Sequence, residues 1–459
     1  MSAISASLSS PARGSLDALK GVYENFLIVA GFPLLLGFYL AAGVGVKWGI
    51  PNVFWIAPGV VVASMLVLGS KAMARTPFDI FFVIWAALAL GSHIFATEVL
   101  KRGLDQGYLF GNLAFIFSMA ALYRAVFCLI LLNPKYSTRA LFITLGSLLV
   151  GAVVIGLMEK FGPGKDWAMK FSALVSPLTV DALDAASVDR PSSIFAGPNL
   201  LGYADTVLAC IALGWGFTET RRTSLWKAAA VIVLICLAIF SAFVAQTRST
   251  IILLLVFPVI YGIQLRRKAA DQRTVMLFIA LLFAAVIGIG SLLESGKFSY
   301  IKEVSQIGLA KDPSYRVRLE VLHDLERVAV EIAPFGTGVG QANSRNVEST
   351  TGFSRYNSIG IDNEWANAYQ EFGVWGPLFV GVFALVWWRQ SVMMSRDGQP
   401  ESRLAPCIAV CLLLSMLLLS PSAVRLLKYE TSGYTFVLLA AVSAWKLHRE
   451  SLSKPLLNS

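Results

Sequence analysis

The stretch Leu109–Leu132, LFGNLAFIFSMAALYRAVFCLILL, holds one charged residue, Arg124, in an otherwise uncharged run. As a helix at 1.5 Å per residue it would be ~36 Å long, enough to cross a hydrocarbon layer about 30 Å thick. Eleven further segments are apolar enough to do the same or nearly so. Before it come Phe26–Val46, Val53–Leu68 and Ile80–Ala96; after it come Leu141–Met158, Leu200–Phe217, Ala228–Ala245, Ile251–Ile263, Val275–Leu293, Val374–Trp388, Leu404–Leu419 and Tyr434–Trp445. Charged residues make up 14% of the chain, well below the roughly 25% of a soluble domain. The sequence therefore predicts an all-α polytopic membrane protein with about twelve transmembrane helices.

The Lys and Arg distribution sets the expected orientation. With the N-terminus inside, short inner segments carry about 19 basic residues, Lys71, Arg75, Lys135, Arg139, Arg389 and Arg449 among them, against about 6 in short outer loops. This predicts both termini in the cytoplasm. It also explains part of the net charge of +10 without any nucleic-acid partner; the lipid bilayer is the partner implied. No removable signal peptide is expected before the first span. Two long loops fall outside, 159–199 and 294–373. The expected division is thus 1–293 with helices 1–9, a large outer loop at 294–373 between helices 9 and 10, and 374–459 with helices 10–12 and the tail. Within the larger loop Val317, Val321, Leu325 and Val328 recur at helical spacing.

All five cysteines lie in apolar spans, so no disulfide framework is expected, and no His/Cys/Asp/Glu cluster has metal-ligand spacing. No cofactor motif is present. Three features could carry chemistry. First, outward arginines: Arg190 before Pro191 to Asn199; Arg248 in the short turn Gln246-Thr247-Arg248-Ser249; Arg316 and Arg318 in Ser314 to Glu320. A guanidinium is a planar fork that grips phosphate oxygens in pairs. Their other reading is contact with lipid headgroups or nearby acids, and it is weakest for Arg248, in a tight hairpin. Second, Pro334-Phe-Gly-Thr-Gly-Val-Gly340, with Gly338 at its centre, whose glycines would let backbone approach a ligand or simply form a turn. Third, Ile361 to Gly376, where Asp362 and Glu364 are candidate proton acceptors, Asn363 and Asn367 candidate partners for sugar hydroxyls, and Trp365 and Tyr369 candidate stacking rings, against the alternative of an interfacial aromatic belt. Arg124 and Asp205 are ionisable groups inside spans and could pair with each other.

In this order the motifs resemble the O-antigen ligase and O-antigen polymerase (Wzy-type) family of bacterial envelope glycan enzymes. Arg190 precedes Phe195 and the pair Pro198-Asn199; Thr247-Arg248-Ser249 opens an apolar span; Arg318-Leu-Glu320 leads to Pro334-Phe-Gly-Thr-Gly338; and Asp362-Asn363 is followed by Glu371-Phe-Gly-Val-Trp-Gly376. The resemblance runs from about Arg190 to Trp388. It implies metal-independent glycosyl transfer at the periplasmic face of the inner membrane, from a donor glycan on undecaprenyl diphosphate. Catalysis would fall to Asp362 and Arg248. Substrate binding would fall to Arg190, Arg316, Arg318, Asn199, Gly338, Asn363, Glu364 and Trp365. The family's ligase branch carries His where this chain has Asp362, which favours a polymerase of exopolysaccharide or O-antigen repeats. A flippase and a chain-length regulator would be its partners. The alternatives are a ligase moving finished polymer to a lipid A core or protein, and a membrane transporter; the latter is disfavoured by the long outer loop and by the lack of a repeat between the two halves.

Overall fold

The computed structural model describes residues 10–41, 52–101, 104, 106–161, 163–175, 191, 193–195, 198–218, 225–245, 247, 250, 313–339, 364–395, 400–419 and 429–453, in some helix-end positions for the backbone alone. Among these residues there are thirteen α-helices and no strand. They are α1 (Ser10–Leu40), α2 (Asn52–Leu68), α3 (Pro77–Ile94), α4 (Gln106–Leu132), α5 (Pro134–Phe161), α6 (Lys165–Val175), α7 (Pro198–Thr218), α8 (Leu225–Val244), α9 (Pro313–Ile332), α10 (Glu364–Phe372), α11 (Trp375–Ser395), α12 (Pro400–Leu419) and α13 (Tyr429–Ser453). A 3-10 turn, Gly69–Met73, extends α2, and a π turn, Phe95–Val99, extends α3.

Six of the helices are long and apolar enough to cross a membrane, and α7 and α8 hold shorter apolar stretches. Ten of the twelve expected spans fall on described helices; the eighth and ninth, Ile251–Ile263 and Val275–Leu293, lie outside the described residues. The apolar residues at helical spacing in the larger loop lie on α9, where Leu325, Val328 and Ile332 are buried. In the loop at 159–199, α5 continues to Phe161 and the separate helix α6 follows it.

The described helices bury one large apolar core and a small separate cluster around Leu325, Val328 and Ile332. At the centre of the large core α3, α4, α11 and α13 interlock through aromatic rings. Phe81 meets Phe383 edge-on at 5.2 Å between centroids, Trp85 meets Phe115 at 5.3 Å, and Phe82 packs on Phe436 at 4.8 Å. The opposite faces present apolar side chains outward, among them Val62, Leu66, Val83, Ile143 and Leu385. An apolar exterior over a packed interior suits lipid as the solvent.

Side-chain contacts define the two ends of the bundle. At one end Arg124 of α4 pairs with Asp79 of α3 at 2.5 Å and donates to the Ala74 carbonyl at 2.7 Å. Asp79 also accepts from Thr76 N–H at 2.6 Å and Thr76 Oγ1 at 3.0 Å, so one carboxylate caps α3 and neutralises Arg124. The Tyr123 hydroxyl lies 2.7 Å from Thr76 Oγ1 and 2.9 Å from Ser443 Oγ. Arg139 reaches Glu401 at 2.7 Å across α5 and α12, and Trp445 Nε1 donates to Thr138 Oγ1 at 2.8 Å. This is the basic end. The pairing of Arg124 with Asp205 that the sequence left open is not the one found: Asp79, at the third position of α3, pairs with Arg124, and Asp205 sits on α7 beside Ser241. At the opposite end, the loop end, Tyr39 closes α1 onto the start of α13. Its ring meets Tyr434 edge-on at 5.4 Å and its hydroxyl accepts from Gly433 N–H at 3.2 Å, while Tyr203 of α7 lies 5.9 Å from Tyr434.

Candidate functional site

The turn after α9 and the break between α10 and α11 form one backbone-to-backbone joint at the loop end. Gly336 N–H donates to the Ile332 carbonyl at 2.7 Å and ends α9, with Gly336 at φ 80°. Thr337 then docks on α10: its N–H and its Oγ1 both donate to the Gln370 carbonyl, at 2.7 and 3.1 Å. The next carbonyl, Glu371, accepts from Ser92 Oγ of α3. Gly373, at φ 63°, closes α10 by donating to the Tyr369 carbonyl at 2.7 Å, and Val374 N–H returns to the Ala333 carbonyl at 2.9 Å. The last carbonyls of α10, left without partners by helix geometry, are thus capped from two other elements.

Here the glycine spacing answers to a close approach of backbones. A Cβ on Gly336 would lie 2.3 Å from the Glu371 carbonyl carbon, one on Gly373 2.2 Å from the Ala333 oxygen, and one on Gly376 1.9 Å from the Ala368 oxygen. Gly338, at φ 99°, faces Leu104 and Ala96 of the α3 extension, where a Cβ would meet Leu104 Cδ1 at 2.6 Å. Residues Pro334–Val339 of the glycine run and the Glu371–Gly376 motif, over thirty residues apart in sequence, are two sides of this joint.

Almost all of α10 is buried, including its polar side chains Glu364, Asn367, Gln370 and Glu371. Glu364, Asn367, Gln370 and Glu371 follow at i, i+3, i+6 and i+7 and share one face. Trp365 packs on the main core, whereas Tyr369 packs on the small cluster of Leu325, Val328 and Ile332 and donates from its hydroxyl to the Ala329 carbonyl at 2.8 Å. The two rings therefore serve different apolar clusters, and burial pushes the Tyr369 phenol above its ordinary range. His93, passed over in the sequence as a residue near a span end, is buried one position after Ser92.

Two other arrangements belong to the same end. Glu159, near the close of α5, is fully buried; Ser172 Oγ of α6 donates to its Oε1 at 2.6 Å and Ser193 N–H to its Oε2 at 2.9 Å. Ser193 is in the left-handed region at φ 55° and its hydroxyl donates to the Ala152 carbonyl at 2.5 Å. This anchors the residues just after Arg190 against α5. Glu159 was not singled out from the sequence; an acid at the boundary of a span carries no pattern of its own. On α7, Gly202 leaves room for hydroxyls from beyond α8: Thr247 Oγ1 and Thr250 Oγ1 would lie 2.6 and 2.7 Å from a Cβ there. One turn along α7, Asp205 is completely buried.

Of the residues expected to act, Glu364 and Trp365 lie on α10, Gly338 in the turn after α9, and Arg316 is exposed on α9. Arg318 and Asn199 belong to α9 and α7 through their backbones, and their side chains lie outside the described residues, as do Arg190, Arg248, Asp362 and Asn363 altogether. Among the described residues no group of three or more His, Cys, Asp or Glu could hold a metal ion.

No curated protein matches the chain. One protein-family model does, over residues 236–381, from the middle of α8 into α11 and so across Thr247, the glycine turn and all of α10. That family is described as O-antigen ligase; the match covers about a third of the chain and is consistent with the resemblance to O-antigen ligases and polymerases.

Proposed function

We propose that this chain is a glycan polymerase of the bacterial inner membrane, which joins undecaprenyl-diphosphate-linked oligosaccharide repeats at the periplasmic face in exopolysaccharide or O-antigen synthesis. The observation that carries the reading is α10: a short helix at the loop end, inside the family match, whose buried face is polar and whose C-terminus is fixed by the glycine turn. A buried polar face on a membrane bundle calls for a polar ligand or partner. The glycan part of the substrate is such a ligand.

In the proposed reaction the acceptor hydroxyl oxygen attacks the anomeric carbon of the donor, and the bond from that carbon to the diphosphate oxygen breaks. The hydroxyl proton passes to Asp362, with Glu364 as the neighbouring alternative, and undecaprenyl diphosphate leaves. Arg190, Arg248 and Arg318 receive the charge that develops on the diphosphate; preorganised donors of this kind are worth most where charge appears only in the transition state. An ordinary aspartate, with a pKa of about 3.9, is a weak base for a sugar hydroxyl, so the leaving-group bond must be largely broken before the proton moves. No metal enters this scheme. A flippase supplies the repeats, and a chain-length regulator is the partner expected to set when extension stops.

The test is a deletion strain complemented with variants matched for membrane abundance. Loss of polymer with accumulation of single lipid-linked repeats is the expected deletion phenotype, whereas accumulation of full-length lipid-linked polymer would make the chain a ligase. Asp362→Asn and Arg248→Ala should fail to restore polymer, and Arg248→Lys should restore it poorly because it keeps the charge and loses the fork. Normal polymer from Asp362→Asn with none from Glu364→Gln moves the base to Glu364; full activity in both sinks the acid–base assignment.

A further inference from the structure

The stripe of polar residues on α10 contains two carboxamides with buried polar atoms that no described residue satisfies. Asn367 and Gln370, three apart on one face, are 2% and 1% exposed. Asn367 Oδ1 and both the oxygen and the nitrogen of the Gln370 amide make no hydrogen bond among the described residues. A buried amide without partners is destabilising by roughly 1–3 kcal/mol, so such groups are rare in a settled fold unless something else binds them. The backbone beneath them is not loose. The Gln370 carbonyl takes two hydrogen bonds from Thr337, and the Glu371 carbonyl takes one from Ser92. The amides are therefore held in place on a capped helix end.

The charge around them narrows the ligand. Glu364 lies one turn before Asn367 and Glu371 directly follows Gln370, so the stripe is acidic at both ends. Carboxamides set between carboxylates suit a neutral polyol. A carboxamide offers a donor and an acceptor in one plane, which complements a pair of adjacent ring hydroxyls, each able to give and take. We propose that Asn367 and Gln370 form a hydroxyl-binding subsite for one pyranose of the lipid-linked glycan and so determine which sugar is accepted. This rests on the reading of the chain as a glycan transferase. The diphosphate is left to the arginines of the proposed reaction.

The competing account, in which the amides serve the fold alone, makes the opposite forecast for isosteric apolar replacements. Methionine at 370 and leucine at 367 fill nearly the same space without a polar group. If the amides wait for a sugar, Gln370→Met and Asn367→Leu remove an unsatisfied group and leave the unliganded protein at least as stable. They also remove the contacts that bind the glycan.

The experiment uses the full chain throughout. Melting of detergent-purified wild type, Gln370→Met and Asn367→Leu is compared. Extension kinetics are then measured in membrane vesicles, with lipid-linked repeats extracted from a strain lacking this chain as the probe. The expected result is an unchanged or raised melting temperature, with KM for the repeat raised about tenfold and kcat within about threefold of wild type. A lowered melting temperature, or an unchanged KM in vesicles where the wild type extends the repeat, overturns the subsite alone. Failure of wild-type vesicles to extend the repeat at all overturns the functional reading and the subsite with it.

Discussion

Replacing Gly336 by alanine should unlock the joint between the glycine turn and α10. The added Cβ would lie 2.3 Å from the Glu371 carbonyl carbon, 2.4 Å from its oxygen and 2.5 Å from Phe372 N, all backbone atoms that no rotamer change can move. Ordinary contact between such atoms is about 3.5 Å or more, so the turn must retreat by about an ångström. Retreat lengthens both bonds from Thr337 to the Gln370 carbonyl, each worth about 0.5–1.5 kcal/mol net. The left-handed φ of 80° adds about 1–2 kcal/mol for any residue with a Cβ. Together these lower stability by about 3–4 kcal/mol. The assay is fluorescence-monitored melting of the detergent-purified full chain, with Gly91→Ala as the control. That glycine also faces the turn, but its Cβ would touch the Phe335 ring at 3.5 Å, an ordinary contact, and as a helix-interior position it should hold or raise stability by up to about 1 kcal/mol. A Gly336→Ala protein that melts with the wild type would mean that the turn does not rest on α10, and the positioning of the α10 stripe would lose its basis.

Reporter fusions after Lys311 and Ser358 should both report the periplasmic side; a cytoplasmic signal at either would put the proposed chemistry in the wrong compartment. At the basic end, burial pushes the Glu401 carboxyl up, but its own backbone amide, the Arg139 guanidinium and the charge of Lys135 outweigh that and hold it below its ordinary value. A depressed carboxylate contributes stability above its unfolded pKa and loses it as pH falls through the folded value. Arg139→Gln should therefore lower stability slightly at neutral pH, by under about 1 kcal/mol because the pair is partly exposed, and the difference from wild type should fade as pH falls below the ordinary glutamate value of about 4.3 and vanish below the lowered folded value. A difference that persists at low pH would show that Arg139 acts through packing instead.

Long uncharged runs made the helices legible, because a bilayer demands length and apolarity whatever the fold around it. Which face of each helix turns inward was not legible, since lipid and protein interior are equally apolar. That is why Arg124 found its partner only in the structure. A signal for Asp79 was present nonetheless: Thr76-Pro-Phe-Asp79 has the form of a helix-capping box, and a carboxylate fixed at a helix start is a ready counter-charge. In the larger loop polar residues restore the contrast, and the spacing of Val317, Val321, Leu325 and Val328 did mark α9. The motif residues of α10 were visible as types, and Glu364 and Trp365 do lie on a helix. Capping of the α10 C-terminus, however, depends on Thr337 and Ser92 arriving from distant segments. Glu159 escaped notice for the same reason, as its partners Ser172 and Ser193 come from two other segments.

The contact of Tyr39 with Gly433 and Tyr434 has a consequence for biosynthesis. The ribosome delivers α1 first and α13 last among the described helices, yet at the loop end each completes the other. Until α13 is inserted, Tyr39 has no Gly433 amide to accept from, and the faces of α4 and α12 that α13 covers stand open to lipid. Earlier helices can only wait in the bilayer in provisional order. Chains that terminate before α13 would thus leave this end of the bundle unclosed, which ties its completion to translation of α13.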